Sequence, residues 1–256
     1  MASDPSFTVE LTSQTPPGER LLVGMAGVGV AGLTAADYLV NNVETEQIGH
    51  IRTRNLPDIT PFTNGEPRHP IRLYSATGSD VTVLISEVFL PTWVADPLTD
   101  ALLGWAGSHD IREVTVLHGT PFPHREEEHV VYHVATEAYR EAHFPPEGGP
   151  EIEPLAGGFF DGVIGELLVR ALDGEAPATG VLVTPTHMPG PDLDAAVRLL
   201  DALEPVCGIE VDEGELRDRA EEMERYFADL AERMQSIQEA EEPTEGHDYP
   251  TNRMYM

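Results

Sequence analysis

Residues 20–43 read RLLVGMAGVGVAGLTAADYLVNNV. The run from Arg20 to Ala26 is apolar and has the length of a buried strand. Gly27-Val28-Gly29-Val30-Ala31-Gly32 interrupts it with three glycines, and Leu33 to Val43 continues as a helical stretch. A strand, a glycine turn and a helix in that order open an α/β layered domain. The same alternation extends along the chain. Strand-like runs occur at Gln47 to Arg54, Ile71 to Ala76, Val81 to Val88, Glu113 to His118 and Gly180 to Thr184. Helical stretches lie between them at Pro97 to Ser108, Asp161 to Asp173 and Leu193 to Leu203. The expected sheet is largely parallel or mixed. His129 to His143 reads both ways: Val130, Val131, Tyr132 and Val134 favour strand, and the Ala/Glu-rich end favours helix. No internal repeat is present.

The turn fits G-x-G-x-x-G through Gly27, Gly29 and Gly32. A dinucleotide site also needs an acid about twenty residues on, at the end of the second strand, to hold a ribose. That strand ends instead in His50-Ile51-Arg52-Thr53-Arg54, and Glu44 and Glu46 precede it. The glycines are therefore read as close strand-to-helix packing. The alternative, a nucleoside or nucleotide phosphate at the helix N-terminus, stays open.

Composition removes several chemistries. Of 256 residues, 45 are acidic and 15 basic, a formal net charge of −30, and every basic residue is arginine. Without a lysine there is no Schiff base, no pyridoxal-phosphate catalysis and no lysine-dependent P-loop. Such an acidic chain repels phosphates, so no nucleic-acid partner is expected. An excess of Asp and Glu without Lys fits a salty cytoplasm. Near molar salt the Debye length falls to about 3 Å and self-repulsion is screened. The 41% apolar content suits a folded chain, and the single Cys207 forbids an internal disulfide. No apolar run reaches the roughly 18–20 residues that cross a bilayer, and no signal pattern opens the chain. A soluble, cytoplasmic protein without membrane contact is expected.

Five of the ten histidines, His118, His124, His129, His133 and His143, fall close together. His129 and His133 would share one face of a helix, but a metalloprotease helix needs Glu directly after the first His, and residue 130 is Val. They are read as partly exposed surface histidines, with no metal and no cofactor. No G-x-S-x-G elbow occurs among the eight serines. Cys207, in Glu204-Pro205-Val206-Cys207-Gly208-Ile209, reads as a small buried hydrophobe. No catalytic residue is nominated, and the chain is expected not to be an enzyme.

The last third changes character. From Glu213 to Glu241 the chain is charged, free of proline and strongly helical. Leu216, Ala220, Met223, Phe227, Leu230, Met234 and Ile237 alternate spacings of four and three, a heptad seam. The seam needs a partner surface, either another protomer or a groove on its own domain. After Glu242, prolines, a glycine and polar residues form a flexible tail that ends in Met254-Tyr255-Met256. The chain thus divides into an extended lead-in at 1–19, an α/β domain at 20–212, a C-terminal heptad helix at 213–242 and a tail at 243–256.

The order of these segments resembles the archaeal proteasome assembly chaperone (PAC) family, in a form suited to salt. The resemblance rests on Leu21 to Gly29, on Tyr38-Leu39, on Ile48-Gly49-His50-Ile51, on the Pro-rich Leu56 to Pro61 and on Pro191 to Ala196. It covers about Arg20 to Ile237. It implies a three-layer sandwich like that of nucleoside phosphorylases, used as a non-enzymatic scaffold, and homo-oligomers that act on the proteasome core particle. Met254-Tyr255-Met256 looks like the hydrophobic–tyrosine–any terminus by which such proteins dock on the α ring. Tyr255 and Met254 would fill pockets between α subunits, with the Met256 carboxylate against a basic side chain.

Overall fold

The computed structural model describes residues 4–56, 59–122, 124–125, 128–187, 191–223 and 225. The elements run in chain order as β1 (Ser6–Leu11), β2 (Arg20–Met25), α1 (Ala31–Asn42), β3 (Thr45–Arg54), β4 (Phe62–Thr63), β5 (Glu66–Pro67), β6 (Ile71–Ala76), β7 (Val81–Ser86), α2 (Ala95–Ser108), β8 (Glu113–Thr120), β9 (Tyr132–Ala135), α3 (Glu137–His143), α4 (Gly162–Leu172), β10 (Ala178–Pro185), α5 (Leu193–Asp201) and α6 (Leu203–Cys207). Eight strands form one sheet in the order β1-β3-β6-β7-β2-β8-β10-β9, and β4 and β5 make a separate hairpin.

The centre of the sheet is parallel: β2 pairs with β7 and β8, and β8 with β10. Its flanks are antiparallel through β6, β3 and β1 on one side and β9 on the other. Parallel strands are covered on both faces, which is why β7 is buried at every position, Thr82 and Ser86 included. On one face Leu22, Val83, Ile85 and Leu182 pack with α1, α5, α6 and Tyr139 of α3. On the other, Leu21, Val23, Val116 and Val183 pack with Leu98 and Leu102 of α2 and Leu167 of α4. The result is a helix–sheet–helix sandwich of mixed sheet type.

The glycines set how closely α1 approaches. A Cβ on Gly32 would fall inside the van der Waals envelope of the Leu117 carbonyl on β8, and one on Gly24 would lie 2.5 Å from the Gly32 carbonyl. With Ala35 and Ala36 fully buried beside them, α1 rests almost backbone to backbone on β2 and β8. β6 holds a buried arginine. Arg72 donates to Tyr74 Oη (2.7 Å), to the His69 carbonyl (2.8 Å) and to Glu87 Oε1 (2.6 Å), so its charge is paired and its donors are engaged.

Several expectations are amended. Within the lead-in, residues 6–11 form edge strand β1, whose Phe7 is buried in the core, so the α/β unit starts before Arg20. The ambiguous segment contains both elements, β9 and then α3. The last α/β helix is broken after Asp201 into α5 and α6, with Pro205 inside α6. Residues 214–223 are helical, and Leu216 and Ala220 are buried. Leu216 joins the core cluster of α1, α5 and α6, and Arg217 pairs with Asp201 at 3.1 Å. The seam therefore begins on its own domain, with Met223 half-buried. Phe227, Leu230, Met234 and Ile237, and Met254, Tyr255 and Met256, lie outside the described residues.

Overpacking at Gly32 gives a direct test. Gly32→Ala is expected to cost about 1–3 kcal/mol, with Tm falling by about 2–4 °C per kcal/mol. Gly27 has an extended φ of −143° and open space around its α-carbon, so Gly27→Ala is expected to stay within about 0.5 kcal/mol. Urea denaturation of both variants in molar salt reads the difference, and equal costs would contradict this seating of α1.

Candidate functional site

In open α/β sheets, ligand sites form beyond the carboxyl ends of parallel strands. Here β2 is followed by the glycine turn, β8 by Phe122, His124 and His129, and β10 by Thr186, His187 and Asp192. The turn itself is filled by protein. Gly29 adopts φ +69°, a conformation glycine takes freely, and Val30 follows at φ 45°. A Cβ at Gly29 would lie 3.0 Å from Thr186 Cβ, and the Gly29 carbonyl accepts the Asp192 N–H at 2.9 Å. Gly29 and Gly32 thus face loop and strand, in keeping with the packing reading. Gly27 contacts neither.

The histidines separate into two kinds. His133 is buried, bonds the Ile152 carbonyl through Nδ1 at 2.8 Å and stacks on Phe144 at 3.9 Å. His143 Nε2 lies 2.8 Å from Glu113 Oε2. His118, near the end of β8, meets Phe160 edge-on at 5.6 Å. Burial pushes it down from its ordinary 6.5 to about 4, against the opposing pull of Asp161. Each of these three has its own structural setting.

The other two converge with a histidine the sequence reading did not single out. His124 and His129 follow β8, and His187 follows β10. Their ring centroids stand 4.8 to 5.0 Å apart in pairs. One ligating atom from each lies within 4.8 Å of the others. Burial, followed by Arg198 and the two neighbouring imidazoles, holds His129 below its usual value. What escaped the sequence reading was His187, far along the chain; its position directly beyond a parallel strand was the available signal.

Acyl-transfer chemistry finds little here. The Cys207 thiol is buried and pushed up by burial to about 11, so it is no thiolate near neutrality.

The PAC2 family profile matches residues 21–231 of the chain. The chain belongs to the PAC2 family. No protein of curated function matches this PAC2 protein in sequence. Among solved structures it is similar to Pyrococcus furiosus PbaA, an archaeal homolog of proteasome-assembly chaperone, with a TM-score of 0.75, 21% identity, and 91% of this chain and 95% of that one covered. It is also similar to Pyrococcus furiosus PbaB, an archaeal proteasome activator, with a TM-score of 0.73, 18% identity, and 88% and 99% covered. A Thermoplasma acidophilum protein of unknown function follows at 0.70, 23% identity, and 90% and 93% covered. At these identities the likeness is one of fold.

His118 gives the PAC2 protein an acid-side signature. Between about 6.5 and about 4 the unfolded chain binds a proton that the folded chain refuses, so stability is full above 6.5 and falls as pH drops through that window. At 1.36 kcal/mol per pKa unit the loss reaches up to about 3 kcal/mol. His118→Gln should flatten that part of the profile of unfolding free energy against pH. An unchanged slope would show that the ring is not held neutral by burial.

Proposed function

We propose that this PAC2 protein is a non-enzymatic proteasome assembly chaperone or capping factor, adapted to a salty cytoplasm. In this reading it is a homo-oligomer that binds the α subunits of an archaeal core particle through Met254, Tyr255 and Met256. The observation that carries the reading is family membership over residues 21–231. Fold similarity to PbaA and PbaB over about nine-tenths of each chain supports it. The sandwich serves as a phosphorylase-like scaffold. Exposed Trp93, Phe159, Val169 and Leu172, contributed by α4 and the segments before α2 and α4, offer apolar surface of the kind an oligomer covers. The lysine-free acidic composition supports the salty setting.

Docking follows from the tail chemistry. The Tyr255 ring and Met254 enter apolar pockets, and a terminal carboxylate meets a cation. An oligomer presents several tails to one ring, which adds avidity where tail reach matches pocket spacing. The alternative of a nucleoside or nucleotide at the glycine turn loses support, because Thr186 and the Leu117 carbonyl back Gly29 and Gly32.

Co-sedimentation with purified core particle in molar salt tests the reading. The full chain is expected in the pellet, and chains lacking Arg253 to Met256 or carrying Tyr255→Ala are expected in the supernatant with unchanged Tm. Binding that survives both changes would move the contact to the α/β domain. No binding by any form would overturn the proteasome reading.

A further inference from the structure

His124 and His187 are held in a way that leaves the acceptor lone pairs of their Nε2 atoms facing each other. His124 Nδ1 lies 2.7 Å from the Phe122 carbonyl, which can only accept, so that nitrogen carries the proton. His187 Nδ1 lies 3.1 Å from Asp192 Oδ2 and is likewise the donor to a carboxylate. Both rings are therefore fixed as the Nδ1–H form, and both Nε2 atoms are acceptors. Those two nitrogens stand 3.2 Å apart. Two acceptor lone pairs at that distance repel unless a cation lies between them. Two imidazole nitrogens on one tetrahedral Zn2+, each about 2.0–2.1 Å from the metal, stand roughly 3.3 Å apart.

The surroundings suit a metal ligand. The Asp192 side chain is itself buried and fixed: Oδ2 also accepts the His187 N–H at 2.7 Å, and Oδ1 accepts the Ala195 N–H at 2.9 Å. A carboxylate behind a histidine is the usual outer partner of a metal ligand, orienting the ring and raising its basicity. His129 completes the group, with a ring nitrogen within 4.8 Å of those of the other two. Arg198, whose charge acts on His129, is paired with Asp194 and donates to Thr184 Oγ1 and the Pro185 carbonyl, both at 2.9 Å. His187 is exposed, which leaves a fourth position toward solvent.

We propose that His124, His129 and His187 form a site for a divalent first-row transition metal of the zinc class, tying the loop after β8 to the loop after β10. Three neutral imidazoles favour Zn2+, Co2+, Ni2+ or Cu2+ over the oxygen-seeking Mg2+ and Ca2+. The site is independent of whether the protein docks on a proteasome. Asp192 acts as a positioning residue that sets the His187 tautomer.

The test uses the full chain, stripped with chelator and returned to molar salt with excess Mg2+ to occupy sites made only of carboxylates. Titration with Co2+ is expected to give one ion per chain and the intense visible bands of a four-coordinate complex, which Zn2+ then displaces. His129→Ala and His187→Ala should each abolish the bands, with far-UV circular dichroism unchanged. His109→Ala, a histidine outside the cluster, should retain them. Asp192→Asn should keep the bands while weakening affinity about 10–100-fold. No stoichiometric binding, or bands that survive both ligand substitutions, would overturn the proposal. So would a weak six-coordinate spectrum indifferent to His187→Ala, since carboxylates would then hold the ion.

Discussion

The molecule depends on the contact between α1 and the two parallel strands beneath it. Gly24 on β2, Gly32 on α1 and the alanines that follow let helix and sheet approach until a methyl group would not fit between the Gly32 α-carbon and the Leu117 carbonyl. Interiors are packed as densely as organic crystals, so this closeness propagates. It fixes where α1 starts, hence where Gly29 must turn, and hence how the loop after β10 is caught by the bond from the Asp192 N–H to the Gly29 carbonyl.

From that seat the arrangement at the carboxyl end of the sheet follows. Asp192 caps α5 with one carboxylate oxygen and holds His187 with the other. One buried side chain thereby links the start of a helix to an exposed imidazole. His124 and His129 arrive from the neighbouring strand because β8 and β10 are parallel and adjacent, so their following loops rise at the same edge. Tyr139 has a comparable role on α3: its ring lies where a Cβ on Gly180 would be, and its hydroxyl bonds Thr115 Oγ1 at 2.6 Å.

How much was legible in the sequence depends on the kind of signal. The central strands were, since burial on both faces writes largely apolar runs such as VTVLIS at 81–86. At the glycine turn the absent acid argued against a ribose, and Gly29 and Gly32 lie against Thr186 and Leu117 while Gly27 has open space. β1 did not stand out: its run SFTVEL carries only one buried residue, Phe7, and prolines follow it. The five neighbouring histidines looked like one group, yet three answer to local partners and two to His187 across the sheet. Sequence proximity carries no record of which strands lie side by side. The heptad seam was visible as a period, but a period does not name its partner, and its first residue, Leu216, rests on the α1–α5 surface.

β1 matters beyond its six residues. By composition it is the part of the chain one would trim, and a shortened protein starting at Arg20 would leave intact every strand the parallel core needs. It would also strip the cover from β3, the longest strand of the sheet at ten residues, and unseat Phe7 from beside Ile51. The freed N–H and C=O groups would then form an open template, ready to recruit a strand from another molecule. A segment that looks like a leader thus shortens this edge of the sheet from ten residues to six.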